Sequence, residues 1–154
     1  MSPPTIKTLA AMVSIATLFT FAAVPAHAQG STAAQTASLT VTFMGLKSTQ
    51  GALMIALFDT EAAYSGGQPV QAVKLAANAA SLSVPFIALK PGRYAIKAFH
   101  DLNEDGKLNT NPFGGPSEPY AFSNGAKANM RPPAWSEAAF TVNLGPSVQT
   151  LVIE

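Results

Sequence analysis

From Leu39 onward, apolar and polar side chains alternate with a period of two. Leu39, Val41 and Phe43 are separated by Thr40 and Thr42, the pattern of a half-buried strand. Ala52 to Asp59 is apolar on both faces, which predicts a strand in the middle of a sheet. Val70 to Ala76 and Ser81 to Phe86 read as two more strands around Asn78. Arg93 to Asp101 is the clearest strand, with Tyr94, Ile96, Ala98 and His100 on one face and Ala95, Lys97, Phe99 and Asp101 on the other. Leu89-Lys90-Pro91-Gly92 before it spells a type II turn. Ala138 to Leu144 and Val148 to Ile153 close the chain, joined across Gly145-Pro146. Seven closely spaced strands with no strong helical pattern predict an all-β fold, a seven-stranded antiparallel β-sandwich with one long loop. Two segments keep a helical alternative: alanine-rich Ala72 to Ala80, and Ala62-Ala63 following Asp59-Thr60.

The segment ahead of these strands has another character. Lys7 is its only charge, Leu9 to Ala23 is almost wholly apolar, and Ala26-His27-Ala28 follows Pro25 as a small-residue cleavage site. Residues 1–28 therefore read as a secretory signal peptide, too short in its apolar run for the roughly 20 residues of a membrane span. Residues 29–37 are small and polar and read as a flexible N-terminus, leaving 38–154 as one domain. Cleavage near Ala28 predicts a periplasmic or secreted protein with no transmembrane segment after cleavage. The whole chain has 9 basic and 8 acidic residues, and losing Lys7 brings the remainder to formal neutrality. That gives no basic footprint for nucleic acid. With no cysteine, the protein has no disulfide to rely on.

Leu102 to Pro133 is rich in Asn, Gly and Pro and has little periodicity. A loop of that length in a small domain is usually functional or held by a ligand. It opens on His100-Asp101-Leu102-Asn103-Glu104-Asp105-Gly106-Lys107-Leu108-Asn109. Asp101, Asn103, Asp105 and Asn109 place oxygen-bearing side chains at alternate positions, with Gly106 where the backbone must turn, as in a loop that wraps calcium. Lys107 would contribute its backbone carbonyl, and Leu108 would anchor the loop to the core. The position of the usual closing glutamate holds Pro112, and the flanks are not helical, so this is no EF-hand. Glu118 or Asn111 would have to complete the set, and an affinity on the order of 10⁻⁴–10⁻³ M is expected. The same residues also suit a metal-free turn in which Asp and Asn bond their own backbone. Both readings stand on sequence.

His100 is the one histidine beyond the leader, and on a regular strand it points away from Asp101. A structural role suits it. The catalytic alternative is a hydrolase using His100 with Ser117, Ser123 or a bound water. Tyr120, Phe122 and Trp135, with Glu118 and His100, are the candidate ligand-binding residues. Aromatics in such a loop stack on a protein or glycan partner, or pack as a lid. Zinc spacing and phosphate-binding glycine loops are absent.

Four strings occur in order: Gly51-Ala52-Leu53-Met54-Ile55-Ala56-Leu57-Phe58, Leu89-Lys90-Pro91-Gly92-Arg93-Tyr94-Ala95, His100 to Asn109, and Glu118-Pro119-Tyr120-Ala121-Phe122-Ser123-Asn124. Together they resemble the bacterial domain-of-unknown-function family 2141 over about residues 38–154. The resemblance implies an exported single domain with no assigned activity and no catalytic residue to carry over. Its Pro-Gly-x-Tyr turn is similar to that of transthyretin-like and carboxypeptidase-regulatory β-sandwiches. The resemblance to family 2141 also implies that Asn109 stands where many of its members carry Asp, one carboxylate fewer for an ion. The reading that results is a non-catalytic exported module, its loop ordered by Asp101, Asn103, Asp105 and calcium, presenting a surface to an envelope protein or glycan. A purely structural envelope accessory is the other non-catalytic reading.

Overall fold

A computed structural model describes residues 36–154. The leader, and most of the predicted flexible N-terminus, lie outside the described residues. Eight strands and two short helices follow one another: β1 (Ala37–Met44), β2 (Ala52–Phe58), α1 (Glu61–Gly66), β3 (Gln71–Ala76), β4 (Ser81–Leu89), β5 (Gly92–Asp101), β6 (Tyr120–Phe122), a 3-10 turn (Ser123–Gly125), α2 (Trp135–Ala138), β7 (Phe140–Val142) and β8 (Gly145–Val152). They form two sheets. One has three strands in the order β4-β1-β8; the other has five, in the order β3-β2-β5-β6 with β7 also on β5.

The alternation read from the sequence decides what lies between the sheets. Leu39, Val41 and Phe43 of β1 are fully buried, as are Leu53 and Leu57 of β2, Phe86 of β4, Ile96 of β5 and Val142 of β7. These residues belong to one cluster fed by both sheets. Each large side chain so buried contributes roughly 1.5–3 kcal/mol over leaving it in water. β2 is central, between β3 and β5, as its two apolar faces predict. Its second face, with Phe58, joins Tyr64, Ala95 and Ala138 in a smaller cluster on the far side of the five-stranded sheet.

The prediction of seven antiparallel strands is corrected in two ways. β6 is an eighth strand inside the long loop, and its three residues are too few to show a period. β1 pairs with β8 in parallel, from Ala37 opposite Gly145 to Met44 opposite Val152. The two strands come from opposite ends of the domain's sequence, so no hairpin forces them antiparallel. Ala72 to Ala76 is strand, whereas the helix suspected at Ala62-Ala63 forms, capped by Thr60 Oγ1, which accepts from Ala63 N at 3.2 Å. The corner before β5 is not a Gly92 type II turn. The left-handed residue lies earlier, at Ala88 (φ 57°) within β4, where the β1–β4 register shifts in a bulge that returns Leu89 to the core. The Pro-Gly-x-Tyr string has a different physical basis: Tyr94 Oη donates to the Lys90 carbonyl at 2.8 Å and ties the corner to the strand that follows.

β5 pairs with β6 through Lys97–Phe99 and with β7 through Gly92–Tyr94, so Ile96 falls between the two ladders. Ser123, fully buried, fills the break. Its Oγ accepts from Ile96 N at 2.8 Å and donates to the Ala138 carbonyl at 2.6 Å. Ser123→Ala leaves a buried N–H and a carbonyl unpaired and should lower urea-unfolding stability by about 1–3 kcal/mol. Exposed Ser117→Ala should stay within about 0.5 kcal/mol. Equal stabilities for the two variants would show that the serine does not bridge the break.

Candidate functional site

β5 pairs with β2 up to its last residue, Asp101, which lies opposite Ala52 and stands at the mouth of the long loop, fully buried. Gly51 permits this: its φ is 77°, and a Cβ there would lie 2.2 Å from the Asp101 carbonyl oxygen. Asp101 Oδ2 accepts from Gly106 N at 2.8 Å, drawing the loop back over the strand end. Asp101 Oδ1 is buried and has no hydrogen-bond partner among the described residues. An unpaired buried carboxylate oxygen is costly, because it has given up water for nothing.

The rest of the loop closes around Asp105. Its Oδ1 accepts from Lys107 N at 2.8 Å, and its Oδ2 accepts from the side-chain amides of Asn103 and Asn109, each at 3.1 Å. Asn103 Oδ1 accepts from Asp105 N at 3.3 Å. The Asn109 bond, then the Lys107 backbone bond, hold the Asp105 carboxyl below the usual carboxylate range. Asn109 Oδ1 is buried and without a partner among the described residues. The metal-free bonds expected of Asp and Asn are thus present, and the same loop retains two unpaired oxygens.

Glu118, which the sequence offered as an ion ligand or contact residue, clasps the loop. Its Oε1 accepts from Leu102 N and its Oε2 from Asn109 N, both at 2.9 Å, across the two ends of the excursion. Among the described residues no three His, Cys, Asp or Glu side chains group to hold a metal, so Glu118 does not join Asp101 and Asp105 as a third carboxylate. Beyond Asn109 the chain folds into a small hairpin. Ser117 N donates to the Asn109 carbonyl, and Asn111 Oδ1 accepts from Phe113 N and Gly115 N.

His100 is buried on the opposite face, its Nε2 donating to the Gln50 carbonyl at 2.7 Å. Its Nδ1 has no partner among the described residues. Both bonds of Ser123 Oγ are made to backbone groups, and His100 Nε2 bonds the Gln50 carbonyl, so these two side chains are not hydrogen-bonded to each other.

The aromatic residues separate into two groups. Tyr120 and Phe122 stack edge-on, centroids 5.7 Å apart, on the outer face of the five-stranded sheet. Trp135 instead packs edge-on to Tyr64 in the second cluster, with Arg93 above its ring. Tyr64 Oη donates to the Pro133 carbonyl at 3.1 Å, and burial, then Glu137, pushes its pKa up to about 12, so it remains a donor. Tyr120 and Phe122 line a groove that sequence reasoning missed. Met54 and Phe99 form its floor, and Leu108 and Pro132 its walls, around a cavity of about 500 Å³. A second cavity of about 560 Å³ shares Leu108, Tyr120, Phe122 and Pro132 and runs on to Phe113, which is 97% exposed. The second apolar face of β2 was the available signal.

Glu118→Gln presents an amide N–H to one of the two backbone donors. It should reduce stability by about 1–3 kcal/mol in urea unfolding and speed amide exchange at Leu102 and Asn109. Unchanged exchange at both would show that the clasp does not hold the loop. Asp105 has a folded-state pKa below its unfolded one, so its contribution is full above the ordinary carboxylate range and is lost as pH falls through the lowered value. Protection factors for amide exchange within residues 103–109, taken relative to the intrinsic rate at each pH, should therefore fall in acid in the wild type, and less so in Asp105→Asn.

Comparison with the curated proteins found no match, and neither did comparison with the solved structures. The family model described as "Uncharacterized protein conserved in bacteria (DUF2141)" matches residues 41–150, from within β1 into β8, and the chain belongs to that family.

Proposed function

We propose that this chain is an exported, non-catalytic β-sandwich module, transthyretin-like in outline, whose long loop is fastened by calcium and walls a binding groove. The observation that carries the reading is Asp101 Oδ1, a fully buried carboxylate oxygen with no hydrogen-bond partner among the described residues. A cation beside it would offset the cost of its burial. Asn109 Oδ1, similarly unpaired, belongs to the same loop, and Asp105 joins Asn103 and Asn109 there. Calcium takes six to eight oxygens, amide and backbone carbonyls and water among them, so two carboxylates suffice for a weak site. Asn103 and the Lys107 carbonyl complete the protein's share. Weak affinity suits an extracytoplasmic module, and the leader-like first 28 residues support export.

Leu108 connects the ion to the binding role, since it belongs to the ion loop and walls both cavities. Fixing the loop fixes that wall. The apolar lining favours an apolar partner over a glycan, which needs an array of polar contacts.

With a dissociation constant on the order of 10⁻⁴–10⁻³ M, 10 mM calcium should stabilise the fold by about 1.4–2.7 kcal/mol, a rise of several degrees in Tm. Magnesium, which demands a tighter octahedral shell, should do much less. Asp101→Asn retains an acceptor for Gly106 N and removes the charge; it should melt without responding to calcium. A wild-type melting curve identical in calcium and in chelator would end the ion reading.

A further inference from the structure

We infer that the groove on the outer face of the five-stranded sheet binds a fatty acid, its acyl chain on Met54, Phe99, Tyr120 and Phe122 and its carboxylate at Lys97. The inference rests on the domain being a binding module and makes no use of the ion. The chemistry of the lining selects the ligand. The floor is the flat outer face of β2, β5 and β6, and β2 and β5 each have paired strands on both sides. A peptide or sugar laid there would find few backbone groups to bond, whereas an acyl chain needs none. The cavity of about 500 Å³ falls within the usual range for small-molecule sites.

Charge fixes the other end. The lining cations are Lys74 and Lys97 in one cavity and Arg131 in the other, and no carboxylate lines either. Exposed Lys74 is paired with Glu104 at 3.6 Å. Lys97 has no carboxylate partner among the described residues. Its Nζ donates to the Tyr64 carbonyl at 2.6 Å and lies 4.1 Å from the Tyr64 ring centroid. Burial pulls its pKa below the ordinary lysine value. A half-buried ammonium satisfied by one carbonyl and aromatic faces is a ready counter-ion for a carboxylate arriving along the groove.

Titration calorimetry of the purified protein in calcium-free buffer, with decanoate, laurate and dodecanol as probes, tests the assignment. Laurate should bind one to one, with affinity rising roughly fourfold per methylene from decanoate. Dodecanol should bind about tenfold more weakly, and Lys97→Met should abolish that preference for the carboxylate. Ala56→Trp, which fills the floor, should remove laurate binding while the calcium-dependent melting shift persists. The inference is overturned by wild-type protein that takes up no laurate, by equal laurate affinity in wild type and Lys97→Met, or by a solution dimer that Phe113→Ser dissolves, which would make a second copy the occupant. A calcium shift without laurate binding leaves the ion reading intact and ends this one. Laurate binding without a calcium shift supports this one and ends the other.

Discussion

Leu102 to Pro133 has to be held to a rigid sheet by very few apolar anchors, and buried carboxylates do most of the holding. Glu118 accepts two backbone N–H bonds, from Leu102 and Asn109, and so ties the first residue after β5 to the point where the chain turns back. Asp101 holds Gly106 from below. Charge-assisted bonds of this kind are about twice as strong as neutral ones, and each carboxylate justifies its burial only by making them. The path of the chain from Asn109 through the Phe113 hairpin to β6 follows from this clasp. The wall of the groove follows in turn, because Leu108 sits inside the clasped segment.

The sheets were legible to the extent that burial is periodic. Leu39, Val41 and Phe43 declared their faces, as did the β5 alternation, because a side-chain period of two leaves a strand one way to sit on a core. Partner choice was not legible. The parallel β1–β8 pair depends on how the two ends of the domain meet, and nothing local to either strand encodes it. The bulge at Ala88 was hidden because a left-handed alanine has no sequence signal, whereas Pro91-Gly92 offered a misleading one. β6 was missed for its length alone.

The site was legible in its residues and less so in their roles. The Asp-x-Asn-x-Asp-Gly spacing marked the self-bonded turn, in which Asp105 accepts from Lys107 N and from the side-chain amides of Asn103 and Asn109. It could not show that Asp101 would be buried with one oxygen unpaired, since that depends on Gly51 letting the β2 turn close on the strand end. Glu118 is distant in sequence from the amides it binds, so its clasping role needed the fold. Grouping Trp135 with Tyr120 and Phe122 failed for the same reason: proximity along a loop is not proximity in space, and Trp135 packs on Tyr64 instead. The groove floor drew residues from three strands, and no single stretch of sequence displays it.

A crystal structure of the protein grown in millimolar calcium would bear most directly on the role of Asp101. The account predicts an anomalously scattering ion about 2.3–2.6 Å from Asp101 Oδ1, with Asn109 Oδ1 in the same shell. A water molecule at hydrogen-bonding distance from Asp101 Oδ1 in that place, with calcium abundant in the crystal, would contradict it.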